Sequence, residues 1–261
     1  MCANFEEVRD VVRQYVPLGN GKRRSYIIQK YITQPFLFRG RKFDIRTFVL
    51  VTSVNGNLRA YFYEEGYLRT SSKEFSLSNQ SRMVHLTNDA VQKKGDQYGK
   101  FESGNKLSYH DFQRYLENLR GFKNRSFFKE VLPQIREISS STIKASFSKM
   151  DPKRRHHSFE LLGYDFMIDE SLKVYLIEVN SNPCFALSSP YLARLIPGMI
   201  ENALKIAVDP IFPPPPWPAA KRHLLQETVE AENKFTLIFD EQSDAADLGD
   251  LSLDSKGYDK L

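Results

Sequence analysis

Cys2 and Cys184 are the only cysteines in 261 residues. That excludes a disulfide framework and a cysteine-based zinc site, and it suits a reducing cytosol. No charge-free apolar run approaches the roughly 18 residues that a membrane-spanning helix needs, so no membrane partner is expected. The first residues, Met1 to Glu7, lack the basic and apolar regions of a signal peptide. There is no glycine-rich phosphate loop of the Walker or Rossmann type and no internal repeat. His156 and His157 are adjacent, not spaced i, i+4 on one helix face, which sets zinc aside. Basic residues are plentiful, but no zinc-finger, helix-turn-helix or RNA-recognition pattern accompanies them, so nucleic acid is not an expected partner.

Apolar residues make up 41% of the chain, enough for a sizeable core in one large domain or two small ones. The net charge of +5 hides an asymmetry. Residues 221–261 carry 5 Lys/Arg against 10 Asp/Glu, a net of −5, which leaves +10 on residues 1–220. A basic body of this kind attracts polyanions such as phosphates or acidic protein tails.

Phe5, Val8, Val11, Val12 and Tyr15 fall at helical spacing, and Pro17 with Gly19 and Gly21 ends that segment. Tyr26 to Ile32 reads as a buried strand. Lys42 to Val51 reads as another, with Lys42, Asp44 and Arg46 on one face and Phe43 and Ile45 on the other. Its charged end is expected at the rim of a core. Asn55-Gly56 signals a hairpin. Residues 72–106 are polar, with one island from Val84 to Asn88. Ser108 with Asp111 resembles a capping box at the start of a helix, and a second helical stretch runs from Phe127 to about Phe147. Leu192, Leu195, Ile196, Met199, Ile200, Ala203 and Leu204 form the apolar stripe of another helix. The proline run 213–216 is a stiff spacer, followed by an acidic tail of disorder-prone composition with one apolar island, Phe235 to Phe239. These features divide the chain into an N-terminal segment (1–24), a core (25–213) and a linker with tail (214–261).

The segment from Gly163 to Asn180 is a hairpin with its turn at Asp169 to Ser171. Val174, Leu176, Glu178 and Asn180 share one face of its second strand. With an even-length turn, Asp165 lies opposite Leu176 on that face; a three-residue turn puts it on the other. The plain alternative is a surface hairpin with solvated acids. The apolar run around Glu178 instead suggests a buried strand, and a buried carboxylate must be paired or bind metal. Asp, Glu and Asn oxygens favour Mg²⁺ or Mn²⁺ over zinc.

Taken together, Gln29 to Ile32, Arg41 to Arg46, Leu68 to Ser71, His85 to Asn88 and the Asp165–Asn180 hairpin resemble the tubulin–tyrosine ligase family over residues 25–213. The resemblance implies an α+β, ATP-grasp-like fold of mainly antiparallel sheets flanked by helices. It implies ATP-dependent addition of an amino acid, tyrosine first, to a glutamate carboxylate of the acidic tubulin C-terminal tail, through an acyl phosphate. Glutamate or glycine as the added residue, and a non-catalytic microtubule-binding relative, are the alternatives. By resemblance, Asp165, Glu178 and Asn180 hold Mg²⁺ or Mn²⁺. Gln29, Lys30, Tyr31 and Ile32 receive adenine, Thr87 and Asn88 contact nucleotide, and Lys42, Asp44, Arg46 and Arg69 line the phosphate and acceptor end. His85 and Lys93 are neighbours of less defined role. A monomer working in the cytoplasm on the cytoskeleton, including cilium or flagellum, is expected. The family's N-terminal lobe has no counterpart in the residues before Gln29, so weak or no activity is expected of this chain in isolation.

Overall fold

A computed structural model describes residues 2, 4–13, 26–152, 157–213 and 233–245. Its centre is the long strand β1 (Arg41–Val54). One edge of β1 carries β5 (Ser158–Ile168) along nearly its whole length. The other edge is shared: β3 (Tyr67–Glu74) pairs with the first half of β1 and β2 (Asn57–Tyr63) with the second. β4 (Lys106–Ser108) extends the sheet beyond β3, β6 (Val174–Asn180) beyond β5, and β7 (Phe235–Asp240) beyond β2. All these pairs are antiparallel, giving one seven-stranded sheet of the expected α+β class.

Local sequence explains the connections. Asn55 and Gly56 both have positive φ, the backbone that a tight two-residue hairpin between Val54 and Asn57 requires. Helix α4 (Tyr109–Asn118) starts on Ser108 and Asp111, which exchange capping hydrogen bonds. Asp does here what Glu usually does. Helix α5 (Leu132–Ser146) follows a π-helical turn over Phe127–Val131. Helix α6 (Pro190–Ala207) buries Leu192, Leu195, Ile196, Met199 and Ala203 of the predicted stripe, with Ile200 partly buried and Leu204 exposed. The short helices are α2 (Arg82–His85), α3 (Asp89–Gln92) and, after β7, α7 (Glu241–Asp244). The N-terminal α1 (Phe5–Arg13) buries no residue. Among the described residues no helix is long and apolar enough to cross a membrane.

Alternation along β1 divides the core. Phe43 and Ile45 point into a cluster with Phe112 of α4, Phe127 of the π-helical turn and Ile135 of α5. Phe48 and Leu50 point the other way, against Leu192, Leu195, Ile196 and Met199 of α6. Lys42, Asp44 and Arg46 continue this second face toward the start of β1. They are not at a rim: Lys42 and Arg46 are buried, and Asp44 is half-buried.

Three expectations change. Tyr26 to Ile32 forms no strand, with Ile27 90% exposed. β-branched residues favour a strand only where a partner edge supplies the ladder. The Phe235–Phe239 island, assigned to a disorder-prone tail, is β7: Phe235 packs against Tyr63, and Phe239 against Phe147. Composition is read over a window, whereas six residues with two buried aromatics suffice to add an edge strand. Third, β6 is an outer strand, so Glu178 is exposed rather than buried.

Gly66, between β2 and β3, sits where no side chain fits. A Cβ there would lie 2.1 Å from the Tyr109 hydroxyl and 2.4 Å from the Arg46 carbonyl oxygen. Gly66→Ala is expected to cost about 1–3 kcal/mol by overpacking, read as a lower thermal midpoint.

Candidate active site

Directly opposed pairs build the site across the sheet. Asp44 on β1 faces Arg69 on β3, and Arg46 on β1 faces Asp165 on β5. Asp165 in turn faces Glu178 on β6. Arg46 grips Asp165 with two nitrogens, Nε–Oδ1 at 2.5 Å and Nη2–Oδ2 at 3.1 Å. Arg69 holds Asp44 through Nε–Oδ1 at 2.8 Å and reaches Asp165 Oδ2 at 2.8 Å through Nη2. Two guanidiniums and two carboxylates thus form a neutral quartet. Bidentate geometry of this kind is what an Arg fork provides and a Lys does not.

The quartet lines a cavity of about 380 Å³ with Lys42, His85, Leu86, Thr87, Asn88, Met167, Ile177, Glu178 and Asn180. Burial alone would raise the carboxyl pKa of Asp165, but the bond from Arg46 and the charge of Arg69 outweigh it and hold the group below its usual range. Burial lowers the Lys42 ammonium to about 8 against the opposing pull of Asp44. Lys42 still carries its charge at neutral pH.

How Glu178 joins this face fits neither of the two registers that alternation allowed. Ile168 pairs with Val174, so residues 169–173 form an odd-length, five-residue turn. Phe166, not Asp165, lies opposite Leu176. Continued without interruption, that register would set Asp165 against Ile177. A β-bulge at Ile177 instead advances β6 by one residue, and Asp165 meets Glu178. Asp165, Glu178 and Asn180 are therefore on one face, by a route that alternation cannot reveal.

This donor set fits a hard cation. Glu178 receives a 3.3 Å hydrogen bond from the Asn180 amide, and no ion pair involves it among the described residues. No group of three or more His, Cys, Asp or Glu forms a closed metal cage among those residues. Two carboxylates and one amide oxygen suit Mg²⁺, which keeps waters and phosphate oxygens as its other ligands. The buried carboxylate is Asp165, and its burial is compensated by arginine.

The segment Gln29 to Ile32, expected to receive adenine and here called the hinge, lies close by. Gln29 donates to the Ile177 carbonyl oxygen at 3.1 Å, beside the bulge. Lys30, Tyr31 and Ile32 line a second cavity of about 560 Å³, together with Thr33, Gln34 and the hairpin turn residues Asp169, Glu170 and Ser171. Thr87 and Asn88 reach the first cavity. Lys93 does not line it; its exposed ammonium lies 3.7 Å from the half-buried Asp89.

Sequence reasoning missed Lys106. It lies opposite Arg69 on β4, and its buried ammonium bonds Asp89 at 2.5 Å and the Gly104 carbonyl oxygen at 2.9 Å. Asp89 directly follows Asn88, so the ion pair ties the His85–Asn88 loop to the sheet. A lone lysine in a polar stretch gives no signal of this. Gln92 was missed likewise: fully buried, it accepts from the Ser72 backbone N–H and donates to the Met83 and Leu86 carbonyls.

Comparison with known proteins finds related sequences. The Tubulin-tyrosine ligase family profile matches residues 5–215. Tubulin glycylase 3A of Drosophila melanogaster is 38% identical over 209 residues, covering 79% of this chain and 20% of that protein. Protein monoglycylase TTLL8 of Homo sapiens is 32% identical over 234 residues, covering 81% of this chain and 26% of that protein. Tubulin glycylase 3B of Tetrahymena thermophila is 32% identical over 205 residues, covering 77% and 16%. The chain thus spans roughly a fifth of the length of these relatives. A profile match across most of the described core, joined to an arginine–carboxylate quartet beside Glu178 and Asn180, places the chain in the tubulin–tyrosine ligase family.

Proposed function

We propose that this chain is the catalytic core of an ATP-dependent ligase that joins glycine to a glutamate side-chain carboxylate in the acidic C-terminal tail of tubulin. The convergence of Lys42, Arg46 and Arg69 with Asp165, Glu178 and Asn180 on one cavity carries this reading. Glycine is preferred to the tyrosine expected from sequence wording because the similar proteins named above are a monoglycylase and tubulin glycylases. Their names also support a cytoskeletal place of work.

The reaction has two halves. The acceptor carboxylate oxygen bonds to the γ-phosphorus of ATP as ADP leaves. The glycine amine then bonds to the acyl carbon, phosphate leaves, and the nitrogen gives up a proton. In this scheme Lys42 and the two arginines supply fixed positive charge to the phosphoryl and carboxylate oxygens, where a transferring phosphoryl group spreads its negative charge. Asp165, Glu178 and Asn180 would hold Mg²⁺, which when bound neutralises phosphate charge. Thr87 and Asn88 contact the nucleotide, and Lys30 to Ile32 with the hairpin turn enclose the adenine. The basic body of residues 1–220 draws in the acidic tail.

Incubation of the chain with tubulin, ATP·Mg²⁺ and radiolabelled glycine, glutamate or tyrosine tests this. What label the chain incorporates, weak as it is expected to be, should come from glycine over the other two, and Glu178→Gln should reduce it at least tenfold, the lower end of the range for disturbing even the outer shell of a metal site. Tyrosine or glutamate incorporation in its place rejects glycine as the donor. Absence of any Mg²⁺-dependent ATP affinity by calorimetry rejects the ligase reading altogether.

A further inference from the structure

One chain of hydrogen bonds joins the two cavities. Tyr31 lines the hinge cavity, while Lys42 and His85 line the other. Lys42 Nζ donates to the Tyr31 hydroxyl at 3.1 Å and to the His85 backbone carbonyl at 2.9 Å. The ammonium also lies 4.6 Å from the centre of the Tyr31 ring, in cation–π range. The Tyr31 hydroxyl and His85 Nδ1 are 2.7 Å apart. At the far side of the imidazole, Nε2 bonds the Asn79 backbone carbonyl.

Bonding partners fix the direction of this chain. A carbonyl only accepts, so His85 Nε2 carries a proton. The Lys42 ammonium already donates to the Tyr31 oxygen, and a second cation on that atom would be repelled. The neutral ring, with Nδ1 as acceptor, satisfies every partner. The order is Lys42 to Tyr31, Tyr31 to His85, and His85 to Asn79, each donating to the next.

We propose that Tyr31 and His85 are positioning residues for Lys42, together holding its ammonium on the Arg46–Arg69 cavity and coupling it to the hinge cavity. Neither residue is a catalytic group. His85 locks the Tyr31 hydroxyl with its oxygen lone pairs toward Lys42, and the Tyr31 ring covers the ammonium from one side. Naming the coupled cavities as adenine and phosphate ends rests on the function proposed above; the bonding itself does not.

The charge on Lys42 is the readout. Asp44 on β1 acts on it, and Arg46, Arg69, Asp165 and Glu178 face the same cavity from β1, β3, β5 and β6. Loss of the hydroxyl removes an acceptor that favours the charged form, while burial continues to oppose that form. Tyr31→Phe keeps the ring and its packing, so the fold is expected to persist by circular dichroism.

Competitive labelling with acetic anhydride, read by mass spectrometry on the peptide carrying Lys42, measures its titration directly. Tyr31→Phe is expected to lower the labelling midpoint by about one pH unit, which raises labelling at pH 6 about tenfold. His85→Leu should act in the same direction. His85→Asn, whose Oδ1 occupies the place of Nδ1, should restore the original midpoint. An unchanged midpoint in Tyr31→Phe overturns the proposal, as does His85→Asn behaving like His85→Leu. The labelling needs neither ATP nor tubulin. A shifted midpoint in a chain that incorporates no amino acid would therefore uphold the positioning role and reject the ligase.

Discussion

Asp165→Asn is expected to lower the unfolding free energy by about 3–5 kcal/mol, the range for removing one partner of a buried ion pair. The quartet is neutral only while both carboxylates remain. With Asp165 gone, Arg46 and Arg69 are still buried; Arg69 keeps Asp44, and Arg46 loses the carboxylate that held it. An amide returns at most one acceptor oxygen and no charge. Denaturant unfolding of both chains at pH 7 gives the difference, and a loss below 1 kcal/mol would show that solvent reaches the arginines more than the structure indicates.

The acid limb supplies an independent check. The folded-state pKa of Asp165 lies below its ordinary value, because the arginines overcome the effect of burial. A carboxyl depressed on folding contributes stability that is fully present above its unfolded pKa of about 3.9. That contribution is lost as pH falls through the lower folded value. The deficit of Asp165→Asn should therefore be constant above about pH 5 and shrink below about pH 4.

Phe239→Ala carries the second large effect, a loss of about 3–5 kcal/mol, as expected for a fully buried phenylalanine. Phe239 is 1% exposed and packs on Phe147 with ring centres 5.2 Å apart. It lies beyond residue 215, where the family match ends. The strand is held at its end as well: Asp240 accepts from Asn57 at 2.9 Å and from Arg59 at 2.7 Å. Leu237→Ala on the same strand is the control, since that side chain is exposed and should cost under about 0.5 kcal/mol. Equal losses from the two variants would mean that β7 does not hold its place on β2.

These residues also mark where sequence reading succeeds and where it stops. The two faces of β1, the Asn55-Gly56 turn and the Ser108 cap are local signals, and each stands in the fold as read, as does the α6 stripe up to its last member, Leu204, which is exposed. Of the candidate site residues, Lys30 to Ile32 line one cavity and Lys42, Asp44, Arg46, Arg69, His85, Thr87, Asn88, Asp165, Glu178 and Asn180 the other, while Gln29 and Lys93 line neither. What escaped depends on neighbours distant in sequence. Tyr26 to Ile32 has strand composition but no edge to join. Glu178 sits in an apolar run and is exposed because β6 has β5 on one side only. Lys106 and Gln92 are buried by segments that their own surroundings do not predict.

The bulge at Ile177 has a consequence for sequence length rather than for side-chain identity. A strand is a two-state counter, and every residue added or removed exchanges its faces. The five-residue turn counts odd, and the bulge adds the one that makes the sum even. β7 uses the same arithmetic. The register shift against Ala60 and Tyr61 lets Phe235 enter the α6 cluster and Phe239 the opposite one, although the two are four residues apart. Chains of this architecture can exchange a shorter turn for a straight strand, or keep both irregularities. A change in only one of them is a frameshift in space: Asp165 keeps its place while Glu178 and Asn180 turn to the far side of the sheet.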